Sequence, residues 1–282
     1  MILVFGQSGQ VASELQSFED IFALNRSMAD LRNPERCADI IRDYKPAAVI
    51  NAAAYTAVDK AEKEEALATI INGDAPSQMA KACADLAIPF VHISTDYVFD
   101  GSGIDAWSPE CGTNPQSAYG RSKEAGEMGV IKSGAVYGIL RTSWVVSSRG
   151  VNFLKTILRL SETHNELSIV SDQIGAPTPA RDIAGACHQV ALDLIADPSK
   201  SGIYHFSGAP NVSWYDFASE IFRQTGQDID IAPILSADYP TVASRPLNSR
   251  LDCQDTLLQF GIKQPDWRKG LNTILGELGV LS

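Results

Sequence analysis

The chain is short of cysteine, of basic charge and of long apolar runs, and each shortage removes a class of function. Its five cysteines, Cys37, Cys83, Cys111, Cys187 and Cys253, are odd in number and far apart, with no C-x-x-C pair. That spacing supports neither a disulfide framework nor a zinc site, and reads as reduced thiols in a cytoplasmic protein. Lysine and arginine number 23 against 34 acidic residues, a formal charge of −11. Such a surface presents no basic field to a phosphate backbone, so no nucleic-acid partner is expected. No apolar run approaches the ~20 residues that span a bilayer, and no basic stretch precedes an apolar segment at the N-terminus. Neither a membrane nor a secretory signal is expected. The histidines show no ligand spacing; His92, within PFVHIST, fits a satisfied core position.

What is present is 282 residues of ordinary soluble composition, 45% hydrophobic and 20% charged. That length suffices for one large domain or two modest ones. Short apolar runs alternate with stretches of helical periodicity. ILVF (2–5), IFAL (21–24), AAVINAAA (47–54), IPFVHIST (88–95) and AVYGILRTS (135–143) read as strands. Each is followed by a helical pattern, the one after AAVINAAA running to near Leu86. Strands this apolar are buried on both faces, and the alternation predicts a parallel sheet with crossover helices. The expected fold is α/β: a Rossmann-type doubly wound parallel sheet with a smaller C-terminal substrate-binding lobe. Residues 1–145 read as the dinucleotide-binding domain, with segments near 178–208 returning to it, and 146–282 as mainly the lobe.

Ligands of such sheets sit beyond the carboxyl ends of the strands. There, Gly6-x-x-Gly9-x-x-Ala12 fits a tight turn into a helix, where glycine lets the backbone approach a pyrophosphate. An acid at the end of the second strand, which would hold the ribose 2′-OH of NAD, is missing; Asn25 and Arg26 stand there instead. A guanidinium at this place suits the 2′-phosphate of NADPH, with NADH the alternative cofactor. Ala52, Ala53 and Ala54 give a flat ring or ribose room beside the third strand. The fourth strand ends in STDYVFDG, and Tyr119 and Lys123 of the later YGRSK share one helix face. A lysine ammonium beside a tyrosine, with the positive nicotinamide of an oxidised cofactor nearby, favours the phenolate, which is expected to lower the tyrosine pKa, and Thr95 is placed to share a substrate oxygen with it. Singly, each feature has a structural alternative: a plain turn, a solvated arginine, close strand–helix packing, a chance Y-x-x-x-K.

Together with RTSWV and a following NF, DQIGAPT, WYDFA, SRPLNSRL and a late PDW, these segments cover nearly the full length. In them the chain resembles the extended short-chain dehydrogenase/reductase superfamily and, within it, the dTDP-4-dehydrorhamnose reductase family. The resemblance implies reduction of the C4 ketone of a dTDP-linked 6-deoxy-4-hexulose to dTDP-L-rhamnose by NADPH or NADH. It implies Tyr119 as general acid, Lys123 as its partner and the holder of the nicotinamide ribose, and Thr95 as the hydroxyl that polarises the ketone. It implies adenine contacts at Asp30 and Leu31, turn contacts at Gln10 and Val11, and a cofactor-flanking strand end from Ala52 to Tyr55. Asp96, Tyr97 and Trp144 match residues of the sugar-nucleotide site, and Arg245, Asn248 and Ser249 lie in a segment facing the nucleotide. Some relatives pair through a magnesium ion held by glutamates. Arg181 stands where one of those acids would be, so no metal site is carried over and the state is left as monomer or homodimer.

Other readings of the same resemblance compete. A dehydratase carries a glutamate where Tyr97 stands, which argues against elimination of water. An epimerase or another nucleotide-sugar reductase is compatible with the turn, while the STDYVF and RP-x-NSRL combination favours the dTDP-4-dehydrorhamnose reductase family. Resembling proteins also serve as non-catalytic regulatory subunits of methionine adenosyltransferase; the intact Thr95, Tyr119 and Lys123 set favours an enzyme.

Overall fold

A computed structural model describes residues 1–281. Six strands form one parallel sheet: β1 (Ile2–Phe5), β2 (Ile21–Leu24), β3 (Ala48–Asn51), β4 (Phe90–Thr95), β5 (Tyr137–Thr142) and β6 (Gly202–His205), in the order β6-β5-β4-β3-β1-β2. Period-2 alternation sends the side chains of each strand to two different cores. Ile2, Val4, Ile50, Val91 and Leu140 pack with Val11, Leu15 and the helix Ala180–Ala196 on one face. Leu3, Phe5, Val49, Phe90 and Ile139 pack with Ile40, Ile41, Met79, Cys83 and Val130 on the other. Both faces are therefore covered, as the unbroken apolar strands predict. A third core, with Leu154, Ile157, Phe217, Ile221, Trp267 and Leu271 at its centre, holds the C-terminal helices together. Among the described residues no helix is long and apolar enough to cross a membrane.

Two departures from the sequence pattern shape the site. The third strand ends at Asn51 rather than Ala54. Ala52 N–H still donates to Phe5 O (3.0 Å), but Ala53 N–H turns back to the Asn51 side chain (3.2 Å), so the alanines leave the sheet. The stretch to Leu86 is not one helix. It breaks into Val58–Ala61, Glu65–Thr69, a π-helical turn Ile70–Asp74, and Ala75–Asp85. Pro76 explains the break: it has no N–H to close onto Asn72, four residues earlier, and the helix widens there. The Asn72 amide is then engaged by Tyr55 N (2.8 Å), Tyr55 O (3.0 Å) and Ser122 Oγ (2.9 Å). That ties the π turn to the strand-3 loop and to helix Ala118–Ile131, which carries Tyr119 and Lys123.

Candidate active site

A cleft of about 820 Å³ opens at the carboxyl ends of β1, β3, β4 and β5. At its floor Gly6 has φ +109°, and a Cβ there would lie 3.3 Å from the Ala52 carbonyl and from Ala12 Cβ. Glycine is required for that conformation. Gly9 then caps the following helix without a side chain. Gln10 is held from above: Asn152 Nδ2 donates to its Oε1 at 2.7 Å. Gly6, Gly9, Gln10, Val11, Ala52, Ala53, Ala54 and Tyr55 all line the cleft, as do Arg26, Asp30 and Leu31 at the β2 end. Asn25 Oδ1 accepts from Ser27 N (2.9 Å) and Met28 N (3.0 Å), an Asx turn that shapes this loop. The Asp30 carboxylate grips Arg32, with Nη2 to Oδ2 at 2.5 Å, and this pairing holds it below the usual carboxylate range. Arg26 pairs more loosely with the same carboxylate, at 3.8 Å, with its side chain 71% exposed.

The β4 end brings Thr95, Asp96 and Tyr97 against Tyr119. Thr95 Oγ1 donates to Asp96 Oδ1 (3.1 Å) and accepts from Tyr97 N (3.2 Å). The Tyr97 and Tyr119 rings meet edge-on, centroids 5.5 Å apart. Burial raises the Asp96 carboxyl to about 6, opposed by hydrogen bonding from Ser249 and Thr95. Tyr97 is pushed up to about 12 by burial, with the Arg245 cation opposing. Burial also drives Tyr119 well above its ordinary value, opposed only by the Thr95 hydroxyl. Lys123 does not offset the burial of Tyr119 in this arrangement. Lys123 is itself lowered to about 8 by burial, and its Nζ is turned to Ile93 O (2.7 Å) and to His92 Nε2 (3.2 Å).

The lobe closes the cleft with aromatic rings. Trp144 adopts φ +48°, a strained conformation for a bulky residue. Its ring stacks on Trp214 at 3.5 Å, and Phe153 packs on Trp214 in turn. Gly175 makes room for it, since a Cβ there would stand 2.8 Å from Trp144 Cε2. Trp214, Phe153 and Asn152 were not expected at the site from residue chemistry alone; they fall in the quoted WYDFA and NF segments.

Three expected members of the site stand apart from the cleft wall. Asn248 is buried and its amide is engaged by Ser102 O (3.2 Å) and Asp105 O (2.8 Å), so it shapes a loop. Arg245 Nη2 is anchored to Asp59 at 2.7 Å, and its cation bears on Tyr97. Ser249 reaches the site through Asp96.

The pocket fits a polar dinucleotide. Buried Ser94 Oγ, Thr142 Oγ1 and Asp96 Oδ2 have no hydrogen-bond partner among the described residues, and all three residues line the cleft. Among the described residues no three His, Cys, Asp or Glu side chains gather as metal donors.

A doubly wound parallel sheet with a glycine turn at β1 and a Thr, Tyr and Lys set at β4 and its following helix defines a Rossmann-type protein of the short-chain dehydrogenase/reductase kind. The model of the RmlD substrate binding domain matches residues 1–280, and the chain belongs to that family. It is 41% identical to a dTDP-4-dehydrorhamnose reductase of Sinorhizobium fredii, over 98% of this chain and 97% of that one. It is 37% identical to the Escherichia coli K12 protein of the same name, with the same coverage. Among solved structures, a dTDP-4-dehydrorhamnose reductase of Bacillus anthracis in complex with NADP is 33% identical, with TM-score 0.90 over 98% of both chains.

Proposed function

We propose that this protein is an NADPH-dependent reductase that converts dTDP-4-dehydro-L-rhamnose to dTDP-L-rhamnose. The observation that carries the reading is the meeting of Thr95, Tyr119 and Lys123 with Gly6, Gly9 and the Ala52–Ala54 wall in one cleft. Relatives that match over 98% of the chain bear the name of this reductase, and a solved structure of that name holds NADP. Gly6, Gly9 and Gln10 would hold the diphosphate, Asp30 and Leu31 the adenine, and Arg26 the 2′-phosphate. When bound, the reduced cofactor supplies a hydride to the ketone carbon.

The rest is the work of the chain. The Tyr119 phenol is protonated at neutral pH at its ordinary value, and burial drives it higher still, so it has a proton to give when an alkoxide develops. The Thr95 hydroxyl, which gives its proton to Asp96 here, turns that proton to the ketone oxygen and stabilises the charge as it forms. Lys123, in its ammonium form, holds the ribose and stabilises the phenolate left on Tyr119. The Trp144 and Trp214 stack and Tyr97 would bound the sugar, and Arg245 would face the diphosphate of the substrate. Residues 1–145 and the β6 segment would serve the cofactor, and most of 146–282 the sugar nucleotide.

Product analysis tests the proposal. Purified protein with NADPH and the dTDP-linked 4-keto sugar is expected to yield a sugar nucleotide heavier by one hydride and one proton. Recovery of the ketone unchanged, beside a positive control enzyme, contradicts it.

A further inference from the structure

His92 has no part in that scheme, yet it stands between two residues that do. Asn51 and His92 are register partners across the parallel pair β3 and β4, so their side chains share a face of the sheet. Both are buried, His92 at 0% exposure and Asn51 at 1%. The Asn51 amide is oriented by its own loop, because Ala53 N–H donates to Asn51 Oδ1 (3.2 Å). Its Nδ2 then faces His92 Nδ1 at 3.2 Å and can only donate. Nδ1 must accept, so the proton of the neutral ring sits on Nε2. That N–H faces Lys123 Nζ, 3.2 Å away. An amine accepts it; an ammonium, which has no lone pair, cannot.

We propose that His92 is a positioning residue for Lys123: oriented by Asn51, it holds the lysine as an amine that accepts the His92 Nε2–H, and it changes tautomer when the lysine takes up a proton. Forming the ammonium moves the ring proton to Nδ1 and turns the Asn51 amide, at the expense of the Ala53 bond. The charge of the lysine is thereby coupled to the loop Ala52–Ala54 that lines the cofactor cleft.

Burial and proximity to the lysine hold His92 well below its ordinary value, so it stays neutral throughout. Among the described residues, the other charged group bearing on Lys123 is Glu127, one turn along the same helix, which opposes the burial. Glu127 is itself closed onto Arg141 of β5, at 2.9 and 2.7 Å. Asp96 and Tyr97, on the turn after β4, bear on Tyr119. The acids of the other elements packed on this helix, Asp59, Asp74 and Asp85, are exposed, and Glu65 pairs with Arg121.

Nitrogen-15 spectra of the histidine rings in the cofactor-free protein test this without any turnover. His92 signals are assigned by their loss in His92→Gln or, should that variant not fold, by eliminating His164, His188 and His205 in turn. Well above pH 8 the ring is expected to carry its proton on Nε2, and on acidification through about 8 the proton is expected to move to Nδ1 while the ring stays neutral. One unchanged tautomer across that range overturns the proposal. The kinetic arm rests on the reductase reading. A glutamine carbonyl accepts from an ammonium, so in folded His92→Gln the alkaline limb of kcat/KM is expected to rise by about one pH unit. An unmoved limb contradicts the coupling. Absence of any ketone reduction by the wild type would defeat the reductase reading alone and leave the tautomer result standing.

Discussion

Gly126→Ala separates intrinsic helix propensity from the packing that places the proposed catalytic side chains. Gly126 lies inside Ala118–Ile131, and in an isolated helix alanine there would stabilise by about 1 kcal/mol. In the folded chain the added Cβ would meet the Asn72 carbonyl oxygen at 2.1 Å, roughly 1 Å inside any separation real Cβ atoms adopt. The obstacle is backbone, and it is held in place by the bonds from Asn72 to Tyr55 and Ser122. Overpacking of this kind costs about 1–3 kcal/mol, a melting midpoint lower by roughly 3–10 °C. The shift also moves Lys123 relative to Ile93 O and Tyr119 relative to Thr95, and misplacement by ~1 Å costs on the order of 10²-fold in turnover. Gly185→Ala is the control, because Gly185 lies within Ala180–Ala196 and nothing stands within 4 Å of its missing Cβ. Thermal melts and ketone-dependent NADPH oxidation are measured for both. The control is expected to melt at or above the wild type with normal turnover. A Gly126→Ala protein that does the same would refute the claim that backbone contact with the π turn positions the site.

Other perturbations follow from individual contacts. Tyr119→Phe removes the proposed acid while leaving Thr95 bonded to Asp96 and Tyr97; turnover is expected to fall by roughly 10²–10⁴, with NADPH affinity by fluorescence titration little changed. Arg26→Ala is expected to raise the NADPH KM by about tenfold, from loss of one charge-assisted contact, and to leave the NADH KM alone; an equal change for both cofactors would remove Arg26 from the 2′-phosphate. Glu127→Gln leaves Arg141 buried without its carboxylate, both side chains being 2–3% exposed, and denaturant unfolding is expected to show a loss of about 3–5 kcal/mol. In the same variant Lys123 loses the group that opposes its burial, so the alkaline limb of the rate profile is expected to fall to lower pH.

The sequence is readable where one residue type answers one physical demand. The five apolar runs are strands because both faces of the sheet are covered, and Gly6 is glycine because φ +109° against the Ala52 carbonyl admits nothing else. Tyr119 and Lys123 share a helix face by spacing alone. Contacts set by register are less readable. Asn51, His92 and Lys123 lie 41 and 31 residues apart in pairs, and only the alignment of β3 with β4 brings them together. The lysine therefore meets an imidazole and a carbonyl, where residue chemistry suggested a tyrosine partner. Asn248 was legible as polar and not as loop-forming, because its partners Ser102 and Asp105 are backbone carbonyls with no residue signature. Trp144 hides its left-handed backbone in the same way: the space it needs is provided by Gly175, far along the chain.

The most direct test of the central claim is the loss of reduced-nicotinamide absorbance when purified protein meets the dTDP-linked 4-keto sugar, run in parallel for wild type and Tyr119→Phe with NADPH and with NADH. The account predicts ketone-dependent oxidation by the wild type, faster with NADPH at low concentration, and its near loss in the variant. No ketone-dependent oxidation of either cofactor, or equal rates in wild type and variant, would contradict it.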